Sequence, residues 1–336
     1  MAAEPAVEAS GLEKSFGNVK VLAGVDLTVA RASRYALLGP NGAGKTTTVR
    51  ILSALTRPDA GRARVAGCDV VGDRHRLRHR ISLTGQYAAL DGLQTGEENL
   101  RLVGRLSGLS PRQARRRAAE LLERFGLVDA ARRRVAAYSG GMMRRLDLAA
   151  SLVTEPSVIF LDEPTTGLDL PGRLVLWQVI TELSRSGVTV FLTTQYLEEA
   201  DQLADRIAVI DAGRVVAEGT PADLKAQVAA QRLELRLTGA GAFDEVARAA
   251  GDRVVHADRS DLIIGVATDG SAAQVRALLD ELDPGRSVVQ AFSVRSASLD
   301  DVFLALTGHA NQEVRTGHPS GRAAHEADHE KETIGV

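Results

Sequence analysis

The sequence is poor in cysteine, lysine, aromatic residues and long apolar runs, and each shortage excludes something. Cys68 is the one cysteine among 336 residues, so no disulfide can form within the chain and the thiol reads as an inert strand residue. Only five of the 41 basic residues are lysines (Lys14, Lys20, Lys45, Lys225 and Lys331), an arginine bias that carries no chemistry by itself. Aromatic residues make up 4%, and the basic runs at 74–80, 115–117 and 132–134 contain none. A single-strand nucleic-acid site stacks bases on such rings, so these runs read as solvated helix faces and no nucleic-acid partner is expected. A net charge of −2 points the same way. No stretch approaches the roughly 18 apolar residues of a membrane span, and no secretory segment follows Met1; the chain is expected on the cytoplasmic side, reaching a membrane only through a partner.

What is present is more specific. With 44% hydrophobic and 25% charged residues, the chain has ordinary globular composition and the length for one sizeable domain plus a smaller one. Residues 39–47 read GPNGAGKTT, a complete G-x-x-x-x-G-K-[ST] phosphate loop of Gly39, Pro40, Asn41, Gly42, Ala43, Gly44, Lys45, Thr46 and Thr47. Glycines let such a loop curl until successive N–H groups point at phosphate oxygens, and the helix start that follows adds partial positive charge. Lys45 then reaches the β- and γ-phosphates, and the Thr46 hydroxyl ligates the Mg²⁺ that bridges them. The apolar run at 35–38 predicts a buried strand before the loop, and 45–55 a helix after it.

Residues 8–29 alternate as strands and hairpins, and Phe16 within them is either a core aromatic or a platform for an adenine ring. The run at 157–161 (SVIFL) predicts a central strand ending in Asp162 and Glu163. Carboxylates at the carboxyl end of a parallel strand face the crevice where α/β sheets bind ligands. Asp162 suits Mg²⁺ held through water, and Glu163 suits proton abstraction from an attacking water.

The stretch YSGGMMRRLDL at 138–148 begins a second glycine-rich helix start, with Ser139 as its cap, Gly140 and Gly141 behind it and an amphipathic run to residue 153. It lies 23 residues ahead of Asp162. At this point the chain resembles an ATP-binding-cassette ATPase, whose signature motif has this form and position. The resemblance covers residues 6–226 and implies further roles: Gln86 (in TGQYAALD) at the Q-loop, touching Mg²⁺ and reaction; PTTGLD at 164–169 as the D-loop, ending in Asp169; Gln195 (in TTQYLEEADQLADR) at the switch; and Phe16 as the adenine-stacking aromatic. Histidine is usual at the switch, but these strings look like the daunorubicin/doxorubicin-resistance subgroup of drug exporters, where glutamine is usual. An amide hydrogen-bonds but does not titrate.

The resemblance implies a mixed-sheet P-loop NTPase cassette with a helical signature subdomain, binding ATP and Mg²⁺. Two copies would pair head to tail, each nucleotide held by Lys45, Thr46, Gln86, Asp162, Glu163 and Gln195 of one and by Ser139 and Gly141 of the other. A separate polytopic permease would convert the cycle into export of a hydrophobic, drug-like or polyketide-like compound from the cytoplasmic face of the plasma membrane. Export of lipid or polysaccharide, and a non-transport cassette of translation or DNA repair, stay open; the latter usually has tandem cassettes or a long coiled coil, which one phosphate loop and no heptad run do not match. A phosphate-loop kinase would lack the signature serine.

Beyond residue 226 the pattern changes to strand, helix, two strands, helix and strand. This βαββαβ order predicts a small ferredoxin-like α+β accessory domain at 227–307, following the cassette at 1–226, with the amphipathic stretch 299–306 (LDDVFLAL) expected to pack on it. The polar remainder, 308–336, reads as a disordered tail. Its HEADH string at 325–329 copies the H-E-x-x-H zinc motif, but a solvated tail lacks the buried helix and third ligand that zinc requires. Trp177 reads as a packing residue.

Overall fold

The computed structural model describes residues 4–85, 90–226, 231–296, 298–299 and 301–303. The chain opens with β1 (Val7–Phe16) and β2 (Val19–Val29), followed by β3 (Arg34–Leu38), the phosphate loop and α1 (Lys45–Leu52). Helix α1 stops three residues short of the expected end: the backbone N–H of Ser53 closes the last turn, and Ala54 turns into the left-handed region at φ 58°. Next come β4 (Ala60–Val65), β5 (Cys68–Asp69), α2 (Arg74–Arg78) and β6 (Ile81–Thr84). A helical stretch then interrupts the sheet with α3 (Gly96–Leu106), α4 (Pro111–Arg124) and α5 (Gly140–Ser151). Capping boxes start the first two, Thr95 with Glu98 and Ser110 with Gln113.

The cassette continues with β7 (Val158–Asp162), α6 (Leu170–Arg185), β8 (Thr189–Thr194), α7 (Leu197–Leu203), β9 (Arg206–Asp211), β10 (Arg214–Gly219) and α8 (Pro221–Lys225). Six strands form one sheet in the order β10-β9-β3-β8-β7-β6, parallel except for β10. Every residue of β7 and β8 is buried, as expected of parallel strands covered on both faces. Their side chains alternate between two cores. Tyr35, Leu37, Phe160 and Phe191 face α1 and the antiparallel sheet β2-β1-β4-β5, and Cys68 is buried on that side; Ala36, Leu38, Leu161 and Leu192 face the helices α5, α6 and α7.

The remaining elements are β11 (Gln231–Leu237), α9 (Ala240–Ala250), β12 (Val254–Asp258), β13 (Ile263–Thr268), α10 (Ala272–Leu282) and β14 (Val289–Ser296). They carry the expected βαββαβ order, and their antiparallel sheet runs β12-β13-β11-β14, the ferredoxin-like arrangement. Leu233, Leu235, Phe243, Val246, Ile264 and Leu278 form its own core.

One expectation is overturned. Of the stretch 299–306, the described part does not pack into the accessory core: Leu299 and Val302 are buried in the same cluster as Leu203 and Leu224 of the cassette, with Phe303 against it. Helical periodicity defines an apolar face but not the surface that receives it. A polar tie to the accessory domain is the ion pair between Asp301 and Arg232 of β11. The tail with its HEADH string lies outside the described residues.

Candidate functional site

Three parallel strands end side by side, and their ends carry the phosphate loop, the acidic pair and the switch residue. Strand register places Leu38 beside Thr194 and Asp162 beside Thr193. The Gly39 amide donates to the Thr194 carbonyl at 3.3 Å, which stitches the phosphate loop to the switch strand. Gln195, half-buried, follows directly at the carboxyl end of β8.

Lys45 opens α1 and folds back over its own loop. Its Nζ donates to the carbonyls of Gly39 (2.8 Å) and Pro40 (3.0 Å) and lies 3.6 Å from Glu163 Oε1. Burial, at 4% exposure, holds this ammonium below its usual range, while the Glu163 carboxylate pulls the other way. The loop has no room for side chains at two glycines. A Cβ on Gly39 would stand 2.3 Å from the Ile210 carbonyl, and one on Gly44 2.6 Å from Leu22. Gly44 also has φ 107°, so α1 begins with no side-chain cap and its first N–H groups remain directed toward the loop.

Across the crevice, the Thr46 hydroxyl lies 3.3 Å from Asp162 Oδ1. The same carboxylate oxygen accepts from Thr193 Oγ1 at 2.6 Å, and Thr193 Oγ1 accepts from the Glu163 amide at 3.1 Å. Glu163 has φ 50°, a left-handed conformation that a non-glycine residue adopts only where its surroundings hold it. A hydroxyl and a carboxylate this close are hard oxygen donors of the kind Mg²⁺ takes alongside phosphate oxygens. Among the described residues no group of three or more His, Cys, Asp or Glu side chains is placed to hold a metal by itself.

Ser139, Gly140 and Gly141 join a different cleft. Ser139 caps α5 by accepting from the Met142 amide at 3.3 Å, and a Cβ on Gly140 or Gly141 would meet no atom within 4 Å. With Gly167, Leu168 and Asp169, these residues line a cleft of about 410 Å³. Asp169 caps α6 by accepting from the Gly172 amide at 3.0 Å, and Leu170, Leu174 and Val175 beside it are exposed apolar residues. Phe16 is 53% exposed with Lys14 Nζ 5.5 Å above its ring, so it is no core aromatic. Gln86 lies outside the described residues.

Three residues of this neighbourhood escaped sequence reasoning. Thr193 bridges Asp162 and Glu163. Glu199 on α7 is 1% exposed, and neither of its carboxylate oxygens has an aligned donor. Burial pushes that carboxyl up, and its neighbours Thr194, Thr165 and Trp177 only partly oppose the shift. Arg144 on α5 is the third. A polar pair closing an apolar strand, as in FLTT, is the one trace in the sequence, and it does not say which threonine meets the acidic pair. Trp177 packs against the cassette core as expected.

Residues 22–166 match the family described as ABC transporter, and residues 219–307 match the C-terminal domain of ATP-binding proteins like DrrA1-3. The chain is 50% identical to the daunorubicin resistance ATP-binding protein DrrA3 of Streptomyces coeruleorubidus, over 91% of this chain and 97% of that protein. It is 47% identical to the doxorubicin resistance ATP-binding protein DrrA of Mycobacterium tuberculosis, over 90% and 93% of the two chains. Its fold is similar to a dimeric ATP-binding cassette in a post-hydrolysis state bound to ADP and phosphate (TM-score 0.58, 26% identity, 64% of this chain and 98% of that one). Phosphate loop, acidic strand end, signature start and DrrA-like C-terminal domain all agree: the chain belongs to the ABC transporter family, as an ATP-binding and ATP-hydrolysing subunit.

Proposed function

We propose that this chain is the motor of a two-component efflux pump: it dimerises head to tail on ATP and drives a separate polytopic permease that exports a hydrophobic drug of the daunorubicin kind. The observation that carries the reading is the split of the motifs between two faces. Lys45, Thr46, Asp162, Glu163 and Gln195 converge at three adjacent strand ends, whereas Ser139, Gly141 and Asp169 line a separate cleft flanked by exposed Leu170, Leu174 and Val175. A nucleotide at the first face of one copy then meets the second face of its partner.

In this reading the amides of Gly39–Thr47 and the Lys45 ammonium bind the phosphates, and Phe16 stacks on the adenine. Thr46, Asp162 and Gln86 would hold Mg²⁺, which when bound neutralises phosphate charge. Glu163 takes the proton of the attacking water, with Thr193 holding its backbone amide and Lys45 facing its carboxylate. Gln195 hydrogen-bonds the γ-phosphate and Gln86 positions the water. Closure needs both γ-phosphates and hydrolysis removes them, so nucleotide state sets a two-state opening. Among the described residues no helix is long and apolar enough to cross a membrane, so docking to the cytoplasmic face would run through the permease. The relatives named for daunorubicin and doxorubicin resistance support the substrate class.

Steady-state ATPase assays test the chemistry. Glu163→Gln is expected to keep ATP binding while turnover falls about 10²–10⁴-fold, the range of a lost general base; near-normal turnover removes Glu163 from that role. Co-purification with a polytopic membrane protein, and daunorubicin efflux that depends on both, test the transport reading. Association with ribosomes or DNA in place of such a protein overturns it.

A further inference from the structure

Helix α5 presents Ser139 at its start and carries Arg144 about one and a half turns further on. The Arg144 side chain, 11% exposed, reaches two other segments. Its Nε donates to the Pro164 carbonyl at 2.8 Å, and its Nη1 donates to the Gly85 carbonyl at 2.8 Å and to Asp147 Oδ2 at 3.4 Å. Pro164 follows the left-handed Glu163, and Gly85 immediately precedes Gln86. One rigid, planar guanidinium therefore joins the signature helix to the base segment and to the entry of the Q-loop. Lysine has the charge but not the fork of fixed donors that holds two carbonyls at a set separation.

We infer that Arg144 is a positioning residue that couples the two nucleotide sites of the dimer. The start of α5 meets the partner's nucleotide, while the carbonyls held by Arg144 belong to segments serving the chain's own nucleotide. Seating the partner's γ-phosphate against Ser139 thus sets the Glu163–Pro164 turn and the Gly85 junction of the other site. This inference rests on the shared-site reading proposed above.

Arg144→Lys and Arg144→Ala test it, with thermal unfolding as the folding control. Binding of a fluorescent ATP analogue is expected to stay within about twofold of wild type, because no nucleotide-binding group is altered. Turnover is expected to fall about 10- to 100-fold, the range of lost charge-assisted hydrogen bonds, and cooperativity in ATP to disappear in both variants. Wild-type turnover and cooperativity in either variant overturn the inference. So does a loss of turnover matched by equal losses of binding and melting temperature, which makes Arg144 merely structural. A second readout needs no variant: hydrogen exchange on the wild-type chain, titrated with a non-hydrolysable ATP analogue, should protect peptides covering 139–145 and 160–166 together. Protection at distinct nucleotide concentrations overturns the coupling. Ser139→Arg separates the two failures. Full activity there sinks the shared site itself, whereas an inactive Ser139→Arg beside normal Arg144 variants sinks only the coupling.

Discussion

Helices α1 and α5 both begin at glycine-rich turns, yet they begin in opposite ways. The start of α1 is walled in: Gly44 is left-handed, no side chain caps it, and the Leu22 side chain and the Val21 carbonyl crowd the place where a Cβ would go. The start of α5 is capped by its own Ser139 and opens onto a cleft. Both offer N–H groups to an anion. The first is a complete cradle whose lysine and acidic partners come from the same chain. The second has no lysine and no carboxylate pair behind it, and in the proposed dimer it would complete the partner's site. Glycine serves backbone conformation in one and surface clearance in the other.

The largest effect that could break this comparison is complementation. Lys45→Ala and Ser139→Arg should each abolish turnover alone, and mixing them should restore one composite site per mixed dimer. ATPase activity of tandem-tagged mixed dimers checks this, and a mixture as dead as its parents means α5 does not complete the partner's site. Next in size is a pair of glycine substitutions. Gly44→Ala places a Cβ at φ 107° and 2.6 Å from Leu22, and should cost more than about 2 kcal/mol of stability together with ATP binding. Gly141→Ala lies inside a helix with no neighbour within 4 Å, and should raise stability by about 0.5–1 kcal/mol while turnover drops. Melting curves and ATPase rates of the two separate a fold glycine from a contact glycine; equal destabilisation would erase the distinction.

Gln195 offers a smaller effect at the closed site. Gln195→Ala should lose a charge-assisted hydrogen bond worth about 1.5–3 kcal/mol, mostly in turnover, and Gln195→His should be tolerated. Rates from about pH 6 to 8, where an introduced histidine titrates, check whether the position handles protons. A fully active alanine variant makes Gln195 a bystander. The smallest effect concerns Glu199. Its folded carboxyl is shifted upward by burial, so its contribution to stability is full below the unfolded value of about 4.3 and is lost as pH rises through the raised folded value. Glu199→Gln should therefore gain stability over wild type as pH rises, measured as the difference in melting temperature from about pH 5 to 8. A constant difference would mean that the carboxyl does not titrate in that window.

Groups acting through their own neighbours were legible. The phosphate loop, the Asp162–Glu163 strand end and the Ser139 cap are runs in which local backbone demands and chemistry coincide, and the βαββαβ order followed from periodicity. Thr193 and Arg144 were not legible as site residues, because what they hold is distant in sequence: Thr193 reaches back 31 residues to Asp162, and Arg144 reaches 59 residues back to Gly85. The described part of the stretch 299–306 was placed on the wrong surface for the same reason.

Amino-acid order by itself determined which anion-binding turns exist, which carboxylates stand at a strand end, and that a second small domain follows, since these depend on torsional preference and side-chain period within a few residues. Only the tertiary structure decided that β8 lies between β3 and β7, which brings Gln195 and Thr193 to Lys45 and Asp162, and that α5 opens onto another face. Strand order is set by hydrogen bonds and burial between segments more than a hundred residues apart, such as Leu38 and Thr194, and no local pattern encodes which neighbour a buried strand takes.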